Sequence, residues 1–304
     1  MSSQPISKRT AWIEAARPRT LPLALASIGM GTFLAAAHGH LVPLIAIFCA
    51  LTTIGLQILS NFANDYGDNR HGLDNDERIG PQRVTQKGLV TPAEMRRAML
   101  ISALLSMISG VILVFISFTF QQIVLLIGFL VLGGAAVWAA IAYTATDNPY
   151  GYIGLGDIFV LIFFGWVGTL GTYYLQAKAL PWDILLPATS VGLLAVAVLN
   201  INNMRDIEPD KASGKNSIPV RLGLANARRY HTALLMISLF SGIVYTVLNY
   251  DSVWQWLFLL SVPLYWRFGR AAVTLSSDKL DPLLKQTVLT TLVFTLTFGI
   301  GLLF

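Results

Sequence analysis

The chain contains one cysteine, Cys49, so neither an internal disulfide nor a cysteine zinc site is available within it. Its four histidines, His38, His40, His71 and His231, fall in unrelated contexts, which argues against a histidine metal centre. Charge is scarce: Asp, Glu, Lys and Arg make up 12% of the 304 residues, where a soluble domain carries about a quarter. Also missing are the short alternating segments of a transmembrane barrel, since stretches such as "LISALLSMISGVILVFISF" are apolar throughout. The Gly-rich "GYIGLG" at 151–156 lacks the preceding strand and following lysine of a phosphate loop and reads as a tight turn.

What is present is apolar length. The composition is 55% hydrophobic and the mean hydropathy is +0.63. Runs of the roughly 20 residues needed to cross a bilayer lie at 21–37, 41–63, 98–118, 122–144, 154–176, 184–203, 231–249, 252–268 and 284–304. They predict an all-α polytopic membrane protein of nine transmembrane helices, residues 1–304 forming a single membrane-embedded domain. The first run follows Lys8, Arg9, Arg17 and Arg19, yet it contains Pro22 and is too long for most cleavable signals, so it reads as a membrane helix.

All Lys and Arg residues except Lys178 fall on the N-terminus and the even-numbered connections. The positive-inside rule then predicts a cytoplasmic N-terminus and an outer C-terminus. This scatter over loops also accounts for the net charge of +5 through topology and anionic headgroups, with no nucleic-acid partner.

Two connections on the predicted cytoplasmic side are long, 64–97 and 204–230, and each follows an Asn-rich helix end, "NFANDYGD" (61–68) and "NINNMRDIEPD" (200–210). Downstream, "GLVTPAEMRRA" and "RLGLANARRY" both lead through paired arginines into the next run, and Thr91 and Glu94 have capping-box spacing. Placed four helices apart, the two Asp-rich loops predict a weak internal repeat of helices 1–4 and 5–8.

On a helix, Asn61, Asp65 and Asp68 share one face, as do Asn202, Asp206 and Asp210, with Pro209 expected to disturb helix at Glu208. Acids at the membrane edge are costly. Carboxylates with amide oxygens and no His or Cys suit a hard cation such as Mg2+, whose usual remaining ligands are substrate phosphates. Arg78, Arg83, Arg205, Lys211, Lys215 and Arg221 supply cations for such a phosphate. A diphosphate at the mouth of an apolar helical chamber points to a polyprenyl diphosphate held in the lipid bilayer. Tyr143, Tyr150, Tyr152 and Trp166 are near enough in sequence to offer aromatic faces to an allylic cation.

At these motifs the chain resembles the intramembrane aromatic prenyltransferases. "RPRTLPLA" (17–24), "LQILSNFANDYGD" (56–68), "RIGPQR" (78–83), "NPYGYIGLGD" (148–157), "LNINNMRDI" (199–207) and "GKNSIPVRLG" (214–223) look like the branch that acts on 1,4-dihydroxy-2-naphthoate. The resemblance implies nine helices around a central chamber in the bacterial inner membrane, and prenyl transfer with loss of CO2. It implies Mg2+ held by Asn64, Asp65, Asp68, Asp206 and Asp210, with Asn61, Asn202 and Asn203 in support. It further implies diphosphate contacts from Arg83, Arg205 and Lys215, an acceptor anion held by Arg17 or Arg19, a role for Tyr143, and Asp157 orienting or deprotonating the acceptor hydroxyl.

The chain departs from the broader pattern at Gly72, where a further Asp is common, with Asp74 two residues on. It also has Asp147 where several branches place Lys after Tyr143. Two other readings stay open on sequence: another aromatic acceptor such as 4-hydroxybenzoate, and a secondary transporter, although a transporter would place charge near the bilayer midplane. Prenyl length and oligomeric state do not follow from the sequence.

Overall fold

The computed structural model describes residues 7–72 and 80–304. Arg78 and Asp74, singled out above, lie outside the described residues. Among those described, every regular element is helical. A surface helix α1 (Lys8–Ala16) is capped by Ser7, whose hydroxyl accepts from the Thr10 amide, and it ends at Arg17. A short 3-10 turn leads into α2 (Leu21–Ala37), where Pro22 falls in the first turn and therefore costs no helical hydrogen bond.

The chain continues as α3 (Pro43–Arg70), α4 (Pro92–Ser117) and α5 (Ile123–Ala142). Thr91 and Glu94 form the reciprocal capping box at the start of α4. A further rod is built from α6 (Gly156–Val160), a π-helical stretch at Leu161–Val167 and α7 (Gly168–Ala177). Then come α8 (Leu185–Arg205), the short α9 (Ile207–Ala212), α10 (Ile218–Leu248), α11 (Val262–Thr274) and α12 (Asp281–Gly301).

Eight helices among the described residues are long and apolar enough to cross a membrane. The run expected at 252–268 is not one of them. It is a 3-10 helix, Val253–Ser261, that continues into α11, and Gln255, Arg267 and Arg270 dilute its apolar character. Two other details depart from the sequence reading. The α3 helix runs past the predicted end at 63 through Arg70, so Asp65 and Asp68 are helical residues rather than loop residues. On the second motif the break falls at Asp206, and Pro209 sits inside the first turn of α9, where a missing amide proton is tolerated.

Burial is uneven. The α8 helix is enclosed on nearly all sides, with Val191, Leu194, Ala195, Ala197 and Ile201 almost wholly buried, and its lack of a polar stripe before Asn200 suits that position. By contrast, α4 exposes Leu100, Ile101, Leu104 and Leu105 on one flank, as a lipid-facing helix does.

Close backbone approach sets the geometry at two points. A Cβ on Gly165 of the π-helical stretch would lie 2.8 Å from the Gly192 Cα on α8, so the two rods meet backbone to backbone. A Cβ on Gly67 of α3 would lie 2.3 Å from the Thr144 carbonyl oxygen just after α5. There the Thr144 hydroxyl donates to the Ala63 carbonyl and to Asn64 Oδ1, each at 3.0 Å. Gly171, by contrast, has open space around it and packs against nothing.

Replacing Gly67 by Ala should destabilise the protein by about 1–3 kcal/mol, the range for overpacking, and lower the detergent-solubilised Tm. Gly29→Ala, whose Cβ would meet only a Thr295 methyl at 3.5 Å, should leave Tm nearly unchanged. Equal shifts for both would refute the close-approach argument.

Candidate active site

One face of α3 supplies the spine of a large cavity. Cys49, Thr53, Gln57, Asn61, Asp65 and Asp68 recur every three or four residues and all line it. From Cys49 to Asp68 the helix rises roughly 28 Å, at about 1.5 Å per residue, close to the hydrocarbon thickness of a bilayer. The cavity measures about 950 Å3 and is bounded by α2, α4, α5, the α6–α7 rod and the end of α8. Its far part is apolar, with Ile28, Leu113, Phe129 and Leu175 on the wall. Its head is charged.

At that head Arg83 bridges both α3 carboxylates: Nη1 lies 2.6 Å from Asp65 Oδ1, and Nη2 donates to Asp68 Oδ2. Arg17 also donates to Asp65. Its backbone is left-handed (φ 50, ψ 65), a costly state for a side-chain-bearing residue, at the turn that brings α1 round onto α2. Asn61 ties down the same turn, its amide nitrogen donating to the Ala16 carbonyl at 2.9 Å and to the Thr20 hydroxyl at 3.3 Å.

The second motif is arranged in the same way. Arg205 forms a bidentate pair with Asp206 (2.8 and 2.7 Å), donates to Asn202 Oδ1 at 2.9 Å and reaches Asp281 at the start of α12. Asp281 lies 3.6 Å from Arg19 as well. Lys215 sits 3.1 and 3.0 Å from the two oxygens of Asp210. Burial is the main influence raising the Asp210 carboxyl above its usual range, and Lys215 opposes it.

The two motifs meet. Asp68 and Arg83 from the first, and Asn202, Asp206, Asp210 and Lys215 from the second, enclose a polar cavity of about 30 Å3 beside the large one. That is room for a water or a small ion. Tyr152 joins them, donating to Asp68 Oδ1 at 2.8 Å, with Lys215 5.9 Å from its ring centre. Burial, then the Asp68 charge, pushes the Tyr152 phenol up, so it stays a donor.

Among the described residues no group of three or more His, Cys, Asp and Glu side chains forms a ready-made metal site. Instead, each motif carboxylate faces a guanidinium or an ammonium. The donor chemistry nevertheless fits Mg2+ arriving with a phosphate, because that ion takes few carboxylates and completes its shell with phosphate oxygens and water.

Other expected residues divide. Tyr143 lines the cavity, and its hydroxyl has no hydrogen-bond partner among the described residues. Burial, followed by the Asp157 charge, holds that phenol well above its ordinary value. Asp157 does not line the cavity; it is buried and accepts from the Tyr230 hydroxyl at 2.8 Å. Asn202 lines the cavity while Asn203, a third of a helical turn away, does not.

Tyr150 lies against Phe159, ring centres 4.0 Å apart, and Phe159 stacks on Phe163, giving the head an aromatic wall. Trp166 is elsewhere, donating to Thr189 at 3.1 Å. Sequence reasoning missed Asp281, for which an acid opening a membrane helix was the available signal. It also missed the Tyr152 bond to Asp68, which nothing in the sequence announces.

The family model for the UbiA prenyltransferase family matches residues 23–302. The chain is 48% identical over 303 residues to the 1,4-dihydroxy-2-naphthoate octaprenyltransferase of Escherichia coli (strain K12), covering 99% of this chain and 98% of that one. It is 35% identical over 294 residues to the protein of that name from Mycobacterium tuberculosis, covering 96% and 97%. A solved UbiA homologue from Archaeoglobus fulgidus bound to GPP and Mg2+ shares the fold, with a TM-score of 0.67 at 14% identity over 96% of this chain and 99% of that chain.

Arg83 has only 9% of its side chain exposed. Replacing it by Ala takes the guanidinium from Asp68 and leaves Asp65 with Arg17 alone, which should cost about 3–5 kcal/mol and lower Tm in detergent. Millimolar Mg2+ should restore part of the loss in the variant and change wild type less. A variant Tm that ignores Mg2+ would show that the freed carboxylates do not take the ion.

Proposed function

Because the chain belongs to the UbiA prenyltransferase family, we propose that it transfers a polyprenyl group from polyprenyl diphosphate to 1,4-dihydroxy-2-naphthoate with loss of CO2, giving demethylmenaquinol, the reduced form of demethylmenaquinone. The observation that carries the reading is the continuity of one cavity, on one helix face, from a charged head at Asp65 and Asp68 to an apolar bore at Cys49. A lipid diphosphate has that same division of polarity. The relatives named for the naphthoate reaction cover nearly the whole chain and supply the acceptor.

In this reading Arg17, Arg83, Arg205 and Lys215 turn from their carboxylates to the oxygens of the diphosphate. The carboxylates they release, with Asn64, would hold Mg2+: Asp65 and Asp68 on one side, Asp206 and Asp210 on the other. Bound there, the ion supplies Lewis-acid neutralisation of the leaving group. The C1–O bond breaks, diphosphate departs with the electron pair, and the allylic cation left behind faces Tyr143, Tyr150 and Phe159.

A naphthoate ring carbon then bonds to C1, and the carboxylate leaves as CO2, its bonding electrons restoring the aromatic ring. Tyr143, protonated at neutral pH, donates toward the diphosphate head. Asp157 acts through Tyr230 and as a charge behind Tyr143, not by touching the acceptor. The positive-inside distribution supports a cytoplasmic head and N-terminus in a bacterial inner membrane. A C-terminus outside follows if the segment 253–274 carries the chain back across, since the eight apolar helices among the described residues would by themselves leave both ends on one side.

The test uses carboxyl-labelled 1,4-dihydroxy-2-naphthoate and a polyprenyl diphosphate, reading labelled CO2 and lipid-extractable product. Release should require Mg2+, and Asp68→Asn should slow it by about 100-fold or more. Prenylation of 4-hydroxybenzoate in place of naphthoate would move the protein to another acceptor. Tyr152→Phe, which removes one hydrogen bond to Asp68, should cost about tenfold.

A further inference from the structure

Every charged side chain that lines the large cavity is ion-paired, with one exception. Glu14 pairs with Lys87, Arg17 with Asp65, and Arg83 with Asp65 and Asp68. Arg19 pairs with Asp281, Arg205 with Asp206 and Asp281, and Lys215 with Asp210. In the head, five cations thus answer five carboxylates. Lys285 on α12 also lines the cavity, and among the described residues it has no carboxylate partner. It lies one helical turn beyond Asp281, whose oxygens are taken by Arg205 and Arg19.

Lys285 is exposed, at the edge of the cavity, where Arg205 and Lys215 are buried and the Arg83 side chain is only 9% exposed. Its neighbours on the cavity wall are Leu284 and Val288 from its own helix and Leu23 from α2, all members of one packed apolar cluster. One turn beyond Leu23 is Ser27, which lines the same wall but is 1% exposed, its hydroxyl closed off from the cavity. The two helices run parallel here, Gly29 facing Thr295 and Gly299 facing Phe33. Lys285 therefore lies toward the charged head, Leu23 and Val288 below it, and Ser27 deeper still.

We infer that Lys285 captures the carboxylate of the aromatic acceptor, whose ring lies on Leu23, Leu284 and Val288. A flat apolar ring with one anionic substituent matches a cation set beside an apolar wall. The resemblance points to Arg17 or Arg19 for the acceptor anion; in the reading above Arg17 turns to the diphosphate, and Arg19 would have to leave Asp281, whereas Lys285 has no carboxylate among the described residues to give up. The surplus positive charge is at Lys285. The inference rests on the prenyl-transfer reading and adds the place where the second substrate binds.

The full-length protein in detergent, as wild type, Lys285→Ala and Lys285→Arg, is assayed for naphthoate prenylation and for binding of 1-hydroxy-2-naphthoate and 1-naphthol, which differ only in the carboxylate. Lys285→Ala should weaken 1-hydroxy-2-naphthoate about tenfold and raise KM for the naphthoate similarly. Binding of 1-naphthol and KM for the polyprenyl diphosphate should change less than about twofold, and Lys285→Arg should recover most of the loss.

Equal weakening of both ligands, or none of either, would overturn the assignment. A rise in the diphosphate KM would place Lys285 at the donor instead. Failure of the prenyl-transfer reading is seen separately, in wild type alone, as an absence of labelled CO2.

Discussion

The clamp of Arg83 on Asp65 and Asp68 is the interaction on which the rest depends. Both carboxylates are almost fully buried at the end of a membrane-spanning helix, where an uncompensated charge is among the most expensive things a protein can hold. A guanidinium with donors in a fixed fork satisfies both at once. Because it does, α3 continues as helix through Arg70 instead of unwinding toward water. The acids stay in register with the cavity-lining stripe below them.

The same solution recurs on the opposite side, where Arg205 holds Asp206 and Asp281 and Lys215 holds Asp210. The consequence is a site that is electrostatically closed within itself. In the proposed reaction ligand charge would enter by exchange, phosphate oxygens replacing carboxylates around the cations and a divalent ion replacing cations around the carboxylates. Such exchange keeps the number of buried unpaired charges low at every stage, which is what a low-dielectric site requires. Lys285 stands outside the balance, on an apolar wall rather than in the polar head.

The apolar architecture serves this head. The α8 helix, buried all round, carries Asn202, Arg205 and Asp206 to the level of Asp68, and close backbone contact at Gly165 and Gly192 allows the neighbouring rod to lie against it. Opposite, Gly67 presses on Thr144 and places Tyr143 at the cavity wall. Between these packed flanks the chamber is left open along α3, with room for a chain as long as the bilayer is thick.

Much of this was legible in the residues. Apolar length alone located the runs that became α2 to α5, the α6–α7 rod, α8, α10 and α12, because in lipid every backbone polar group must be paired within its own helix. Spacing put Asn61, Asp65 and Asp68 on one face, and the capping box announced the start of α4. Local pattern was weaker where a segment mixes characters, as at 252–268, built as 3-10 helix and α11.

What only the tertiary structure decided is which groups meet. That Tyr152 bonds Asp68, that Asp281 shares Arg205 and Arg19, that Asp157 turns to Tyr230 and that Lys285 has no carboxylate partner among the described residues all depend on how helices distant in sequence are packed. Periodicity records which face of a helix is polar. It carries no information about which other face lies opposite, and charge pairing is a property of that opposition.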